Sequence, residues 1–333
     1  MPIFWSVVLF IVGLVCLIFG GDWFVDGASG LAKKMRIPEI IIGATIVSVG
    51  TTLPEVMVSA TSAATGHGEL AYGNAVGSVI CNAALIAALT IAIRPSGVDR
   101  KSFIIPVASF FTAAVVFCVS AYFLGGFPRW IGIILLCIFV LHMVISFRQS
   151  RKNQMPELEE PEGSGEETDK DPKKKESPLW KDILFLVLGA ALIAVGAKLL
   201  VDNGTLIAQT MGVPESVIAL TFVALGTSLP ELVTAITSLV KGHSSLSLGN
   251  IIGANLLNLV FVTGLSATIN PFDIPGEKML LGHNASLVLD LPLMIVLMLI
   301  MVVPALVKQK LYRWQGIVML LAYAGFCAFQ FIS

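Results

Sequence analysis

Residues 38–82 and 214–258 match each other without a gap at an offset of 176, with 19 identities in 45 positions. Self-similarity at a fixed spacing marks a duplicated structural unit. The paired stretches read GATIVSVGTTLPEVMVSATSAATGHGELAYGNAVGSVICN and ALTFVALGTSLPELVTAITSLVKGHSSLSLGNIIGANLLN. The match begins at Pro38 and Glu39 against Pro214 and Glu215, and a fainter echo precedes it at Asp26 and Asp202.

What the duplication can build depends on its solvent. The chain is 56% hydrophobic and 13% charged, about half the charge of an ordinary soluble domain, so most of its surface faces lipid. A hydrocarbon core takes about 20 apolar residues per helix. Apolar runs near 3–21, 38–65, 70–93, 103–124 and 129–147, then 182–201, 214–240, 246–269, 284–304 and 312–332, predict ten spans. An offset of 176 carries five of them, an odd number, so the second copy enters the membrane from the opposite face. The expected fold is an all-α membrane protein with ten transmembrane helices in two inverted five-helix repeats, residues 1–147 and 180–333. In such folds substrate sites lie at the midplane, where the repeats meet.

Residues 148–179 join the halves. Their charged, proline-containing sequence cannot bury an apolar face and is expected to be a disordered, solvated tether. It is shorter than a folded domain and lacks the alternating ligand order of an EF-hand loop. Charge also predicts orientation. With both termini outside, 18 of the 21 Lys and Arg residues face the cytoplasm and only Arg129, Lys198 and Lys278 lie on the other side, as the positive-inside rule demands. A multi-pass protein of the cell membrane is expected, with the linker cytoplasmic. Nothing basic precedes the first apolar run, so no cleavable signal is expected. The five cysteines sit in apolar runs without metal-ligand spacing and read as small hydrophobes.

Each repeat holds Gly-Thr-Thr/Ser-Leu-Pro-Glu within a span, Gly50 to Glu55 and Gly226 to Glu231. A proline inside a helix donates no N–H and clashes with the carbonyl four residues back. Pro54 and Pro230 should therefore free the carbonyls of Gly50 and Gly226, with the chain unwinding at the glycines. Free carbonyls at membrane depth are tolerated only where they line a cavity or meet a ligand. The hydroxyls of Thr51, Thr52, Thr227 and Ser228 stand beside them. Glu55 and Glu231 lie deep in apolar spans, where acidic residues mark ion pathways. A single such glutamate could be held protonated or tied to a neighbour; two at equivalent positions beside prolines argue for a shared site. Hydroxyl, carbonyl and carboxylate oxygens are the ligands of hard cations such as Ca²⁺ and Na⁺.

The following span of each repeat carries Gly73-Asn74-x-x-Gly77-Ser78 and Gly249-Asn250-x-x-Gly253-Ala254, with Asn82 and Asn258 eight residues after the first asparagines and on the same face. The glycines read as helix-packing residues and the asparagines as carbonyl ligands. His67 and His243 are expected in turns, His142 and His283 at span ends near the interface, and Asp22 and Asp26 solvated at the inner end of the first span. Asp290 is expected to bond locally near a helix start or to flank a cation entry path.

The paired GTTLPE and GTSLPE segments, each followed by a GN-x-x-G helix, resemble the sodium/calcium exchanger family of calcium/cation antiporters. The resemblance implies a central site in which Glu55 and Glu231 ligate Ca²⁺ and, in other occupancies, Na⁺. Thr51, Thr52, Thr227 and Ser228 would add hydroxyls or carbonyls, Ser48 and Ala224 backbone oxygen, and Ser78, Asn82 and Asn258 would complete the cluster. It also implies alternating access, with the first and sixth spans sliding over the others. Ala254 stands where a hydroxyl is common and Asn258 where some members have aspartate. Two carboxylates then match one Ca²⁺ or two monovalent ions, which predicts 2:1 or proton-assisted exchange. The ions are cargo, and no cofactor, enzymatic activity or nucleic-acid partner is expected. Ca²⁺/H⁺ antiport is the alternative. A passive channel shares the ligand chemistry, and an intramembrane hydrolase has no use for the duplicated hydroxyls.

Overall fold

The computed structural model describes residues 3–153, 178–211, 226–276, 279–280 and 282–332. Eight helices among them are long and apolar enough to cross a membrane. In chain order the helices are α1 (Ile3–Met35), α2 (Glu39–Ala64), α3 (Gly68–Ile93), α4 (Arg100–Leu124) and α5 (Arg129–Asn153). The second half has α6 (Leu179–Thr210), α7 (Leu229–Val240), α8 (Ser244–Ile269), α9 (Ser286–Lys308) and α10 (Arg313–Ile332). α8 begins and ends 176 residues after α3. Residues 148–153 of the expected tether continue α5 as helix rather than disordered chain; its residues 154–177 lie outside the described residues, as does the 214–225 portion of the seventh predicted span.

α1 and α6 lie antiparallel along their whole lengths because glycines bring their backbones together. A Cβ on Gly13 would stand 2.9 Å from the Gly196 carbonyl oxygen, and one on Gly27 only 2.5 Å from the Asp182 carbonyl oxygen. α1 runs well beyond the expected 3–21. Hydropathy reports where lipid contact ends, whereas the helix propagates until Arg36, in a left-handed conformation (φ 52°), and Pro38 stop it. Asp22 and Asp26 therefore lie within α1 rather than closing it, and their carboxylates pair with Lys241 at 3.3 and 2.8 Å. A further ion pair joins Lys34 of α1 to Asp182 of α6.

The core is α2, α3, α7 and α8, with α8 the most enclosed of the membrane-spanning helices. Here the contact between halves is backbone against backbone. A Cβ on Gly249 of α8 would fall 2.2 Å from the Ile40 carbonyl oxygen of α2, and one on Gly43 of α2 2.5 Å from that of Leu246. α4, α5, α9 and α10 pack around this core. On one face, Gly126–Phe127 pairs antiparallel with Phe272–Asp273, tying the α4–α5 connection to the α8–α9 connection. On the other face, where the linker leaves, a bridge between Gly97 and Lys310 ties the α3–α4 and α9–α10 connections.

The helix irregularities differ from the expected break at Gly50. α2 continues through Pro54 and instead makes a π turn at Gly43–Val47, one turn earlier. The helix stays continuous through Pro54, which withholds the N–H that the Gly50 carbonyl would otherwise accept from. In the second half residues 226–228 form a turn, Pro230 falls in the first turn of α7 where its missing N–H costs nothing, and the Gly226 carbonyl accepts from Leu229 N at 3.4 Å. α3 and α8 each make a π turn that starts at the repeat-equivalent asparagine, Asn82–Ala87 and Asn258–Val262.

Candidate functional site

α2 and α7 bring Glu55 and Glu231 into the core, both fully buried. The helix register of the GTTLPE segment turns Thr51, Thr52 and Glu55 inward together, at the three- and four-residue spacing of one helix face. Thr52 Oγ1 donates to Glu231 Oε1 at 3.3 Å, and Thr51 Oγ1 donates to Asn250 Oδ1 of α8 at 3.2 Å. Both bonds run from the first repeat to the second. Ser48, one turn before Thr52, is buried where α2 meets Gly253 of α8. Its carbonyl accepts from Thr51 Oγ1 at 3.3 Å. Ser78, Asn82, Ser228 and Asn258 are buried too, whereas Thr227 is half-buried and lines a mainly apolar cavity of about 820 Å³ between α6 and α2. Ala224 lies outside the described residues.

The polar atoms of this region are short of partners. Both carboxylate oxygens of Glu55, Oε2 of Glu231, the Ser228 hydroxyl and both amide atoms of Asn82 and of Asn258 are buried without a hydrogen bond. Leaving a buried polar group unsatisfied costs about 1–3 kcal/mol, and native structures do so rarely outside functional sites. The π turns at Asn82 and Asn258 belong to the same logic, since such turns concentrate where a helix serves a ligand. The donor set is two carboxylates plus neutral hydroxyl, amide and carbonyl oxygens. No cluster of three or more His, Cys, Asp or Glu occurs among the described residues. That composition suits a hard cation held loosely enough to leave, because ligand charge sets affinity.

Several polar residues sit elsewhere than expected. His142 is not interfacial: α5 extends to Asn153, so His142 is buried, 1% exposed, with Nδ1 2.9 Å from Ser109 Oγ and Nε2 3.3 Å from the Ala44 carbonyl oxygen. Hydropathy cannot foresee that both ring nitrogens find partners. His67 and His243 do occupy turns, one residue before α3 and α8, and His243 Nδ1 meets Glu39 Oε1 at 2.6 Å. Asp290 bonds locally, accepting from Ser286 Oγ at 3.1 Å. Asn74 donates to Ser59 Oγ at 2.8 Å and to the Glu55 carbonyl oxygen at 3.3 Å, so it braces the backbone behind Glu55. Asn250 bridges the halves through Thr51; the repeat-equivalent GN pair was its signal in the sequence.

Comparison with known proteins agrees with this architecture. The family described as "Sodium/calcium exchanger protein" matches residues 5–148 and 181–332. The chain is 33% identical to "Putative antiporter CaxA" of Alkalimonas amylolytica over 331 residues, covering 98% of this chain and 99% of that protein. It is 29% identical to "Sodium/calcium exchanger MaX1" of Methanosarcina acetivorans, covering 97% of each. A solved structure of the sodium-calcium exchanger NCX_Mj soaked with Na⁺ and Sr²⁺ superposes with a TM-score of 0.76 at 27% identity, covering 97% of each chain. With ten helices in two inverted repeats and the family match spanning both, the chain belongs to the sodium/calcium exchanger family of membrane cation antiporters.

Proposed function

We propose that this antiporter exchanges Ca²⁺ for Na⁺ by alternating access through the centre of the core. The observation that carries the reading is the pair of buried carboxylates surrounded by unpartnered buried amide and hydroxyl groups. A cation stripped of water would replace those missing partners. In this reading Glu55 and Glu231 are the charged ligands. Thr51, Thr52, Thr227, Ser228, Ser78, Asn82 and Asn258 supply neutral oxygens, and Ser48 and Ala224 supply backbone carbonyls. Two negative charges balance one Ca²⁺ or two Na⁺, so the two cargoes compete for one set of oxygens, which is the requirement for exchange.

The α1–α6 pair supports a moving element. It packs on itself through glycines and leaves a cavity toward α2, so it can shift as a unit while the backbone-to-backbone core stays rigid. The charge bias of the connections supports a cytoplasmic linker with both termini outside the cell membrane. Ca²⁺/H⁺ antiport is the competing reading, because a carboxylate lacking any hydrogen-bond donor is also suited to a proton. Right-side-out vesicles loaded with Na⁺ or with acid, at matched membrane potential, separate the two. Ca²⁺ uptake driven by the Na⁺ gradient alone is the expected result; uptake driven only by the pH gradient overturns it. Current recorded in the same experiment tests the count, since a strict 2 Na⁺: 1 Ca²⁺ cycle carries none.

A further inference from the structure

α7 carries Glu231, Thr234 and Ser238 at intervals of three and four residues, which places them on one helix face. Val233 and Thr237 take the neighbouring face against α1, since a Cβ on Gly21 would meet Val233 Cγ1 at 2.8 Å and Thr237 Oγ1 at 2.7 Å. Thr234 and Ser238 are thereby turned into the core, both fully buried, and neither hydroxyl has a hydrogen-bond partner. The same is true of Ser247, 3% exposed, on α8, which packs against α7. Beyond Ser238 lies a small cavity at the linker face, lined by Thr90, Arg94, Ser96, Leu239, Ser244 and Ser247 among others. Buried polar groups without internal partners are where ordered water resides.

The duplication tells whether packing needs these hydroxyls. The residues 176 positions before Thr234 and Ser247 are Val58 and Ala71; only Ser238 has a hydroxyl twin, Ser62. Ala71 is buried as Ser247 is, so the fold packs there without a hydroxyl, whereas Val58 is 46% exposed and lines the cavity toward α6, so the buried Thr234 hydroxyl has no counterpart in the first half. The mouth of the row is duplicated as well. Arg94 Nη1 donates to the Leu239 carbonyl at 3.2 Å, and on the other face Asn270 Nδ2 donates to the Ala63 carbonyl at 3.2 Å. Donors and acceptors of the two contacts are each 176 residues apart. The same cap is positive on the linker face and neutral on the other.

We propose that Glu231, Thr234, Ser238 and Ser247 form the linker-side arm of the cation path, a file of hydrated hydroxyls stoppered by Arg94. This rests on the reading of Glu231 as a cation ligand. Hydroxyl oxygens and the water between them solvate a hard cation in transit, and a guanidinium at the mouth opposes its entry until it leaves the Leu239 carbonyl.

Single cysteines test the arm in a chain whose five native cysteines are replaced by alanine. Ser238→Cys and Ser247→Cys should react with methanethiosulfonate ethylammonium applied at the linker face, not at the opposite face. Arg94→Asn, which copies the neutral cap, should raise the rate several-fold. Cysteines that stay unreactive even with Arg94→Asn, or that react equally from both faces, overturn the arm; equal rates with and without Arg94 overturn the stopper. Thr234→Val with Ser247→Ala copies the first half and should slow Ca²⁺ movement from the linker face while sparing Ca²⁺ affinity at the other. Equal loss at both faces would mean a purely structural role and overturn the proposal. Intact Ca²⁺ binding in Glu231→Gln would instead defeat the site assignment, with thiol accessibility still testing the arm independently.

Discussion

The two halves of this protein share a motif and a fold but not a surface. At the centre they keep the same acids and the same π turn: Glu55 and Glu231 are both fully buried, and α3 and α8 turn at the same asparagine. Toward the faces they diverge. On the linker face Lys241 at the end of α7 pairs with Asp22 and Asp26 of α1. The residue 176 before Lys241 is Thr65, and the twins of Asp22 and Asp26, Lys198 and Asp202, pair with each other at 3.0 Å, largely exposed. In the proposed mechanism, the duplication is kept where a cation would be held from either direction, and the charges are not kept where the helix pair would be released first from one side and then from the other.

The central equivalence makes the largest prediction. Glu55→Gln and Glu231→Gln should each abolish Ca²⁺ uptake into vesicles, because removing one charge from a desolvated cation site costs about 2–5 kcal/mol. Normal flux in either variant breaks the symmetry of the site. Next comes the contact between halves. Gly249→Ala drives a methyl into the Ile40 carbonyl oxygen, and overpacking of this kind costs about 1–3 kcal/mol. Thermal unfolding in detergent should register the loss, and an unchanged midpoint would mean that α2 and α8 are free to separate.

The linker-face connections yield two smaller effects. Asp99 caps α4, accepting from Lys101 N, Ser102 N and Ser102 Oγ at 3.2, 3.1 and 2.6 Å. The hydrogen bond from the Ser102 hydroxyl, with help from the two amides, holds its carboxyl below the ordinary aspartate value. A depressed folded pKa contributes stability that is present above the unfolded value and is lost as pH falls through the folded one. Asp99→Ala should cost about 1 kcal/mol at neutral pH, and the difference from the parent should vanish in unfolding measured in strong acid. Smallest is Lys241→Thr, which gives the linker face the residue of its twin. Partly exposed pairs contribute at most about 1 kcal/mol. A few-fold shift in the balance of facing states is therefore expected, read from relative thiol accessibility at the two faces, and weaker at high salt.

Much of the candidate site was legible in the amino-acid sequence. Glu55, Thr51 and Thr52 are read from a motif whose helical spacing places them on one face, and the fixed offset transfers the reading to Glu231 and Ser228. The environment of His142 was not legible, because a lone histidine in an apolar run gives no sign that Ser109 and Ala44 come from other helices to meet it. Nor was the continuity of α2 through Pro54: proline predicts a lost hydrogen bond, which by itself does not decide whether the helix unwinds. The hydroxyls of Thr234, Ser238 and Ser247 were equally silent, since Ser and Thr in a helix ordinarily bond their own backbone.

The amino-acid sequence alone determined the membrane class, the number of spans, their inverted duplication and the pair of acids at its centre. Each of these follows from local periodicity and composition, which lipid enforces residue by residue. Only tertiary structure decided which buried oxygens lack partners, which charges meet across helices and how closely backbones approach at the glycines. Those depend on distances between segments some two hundred residues apart, and no local pattern carries them.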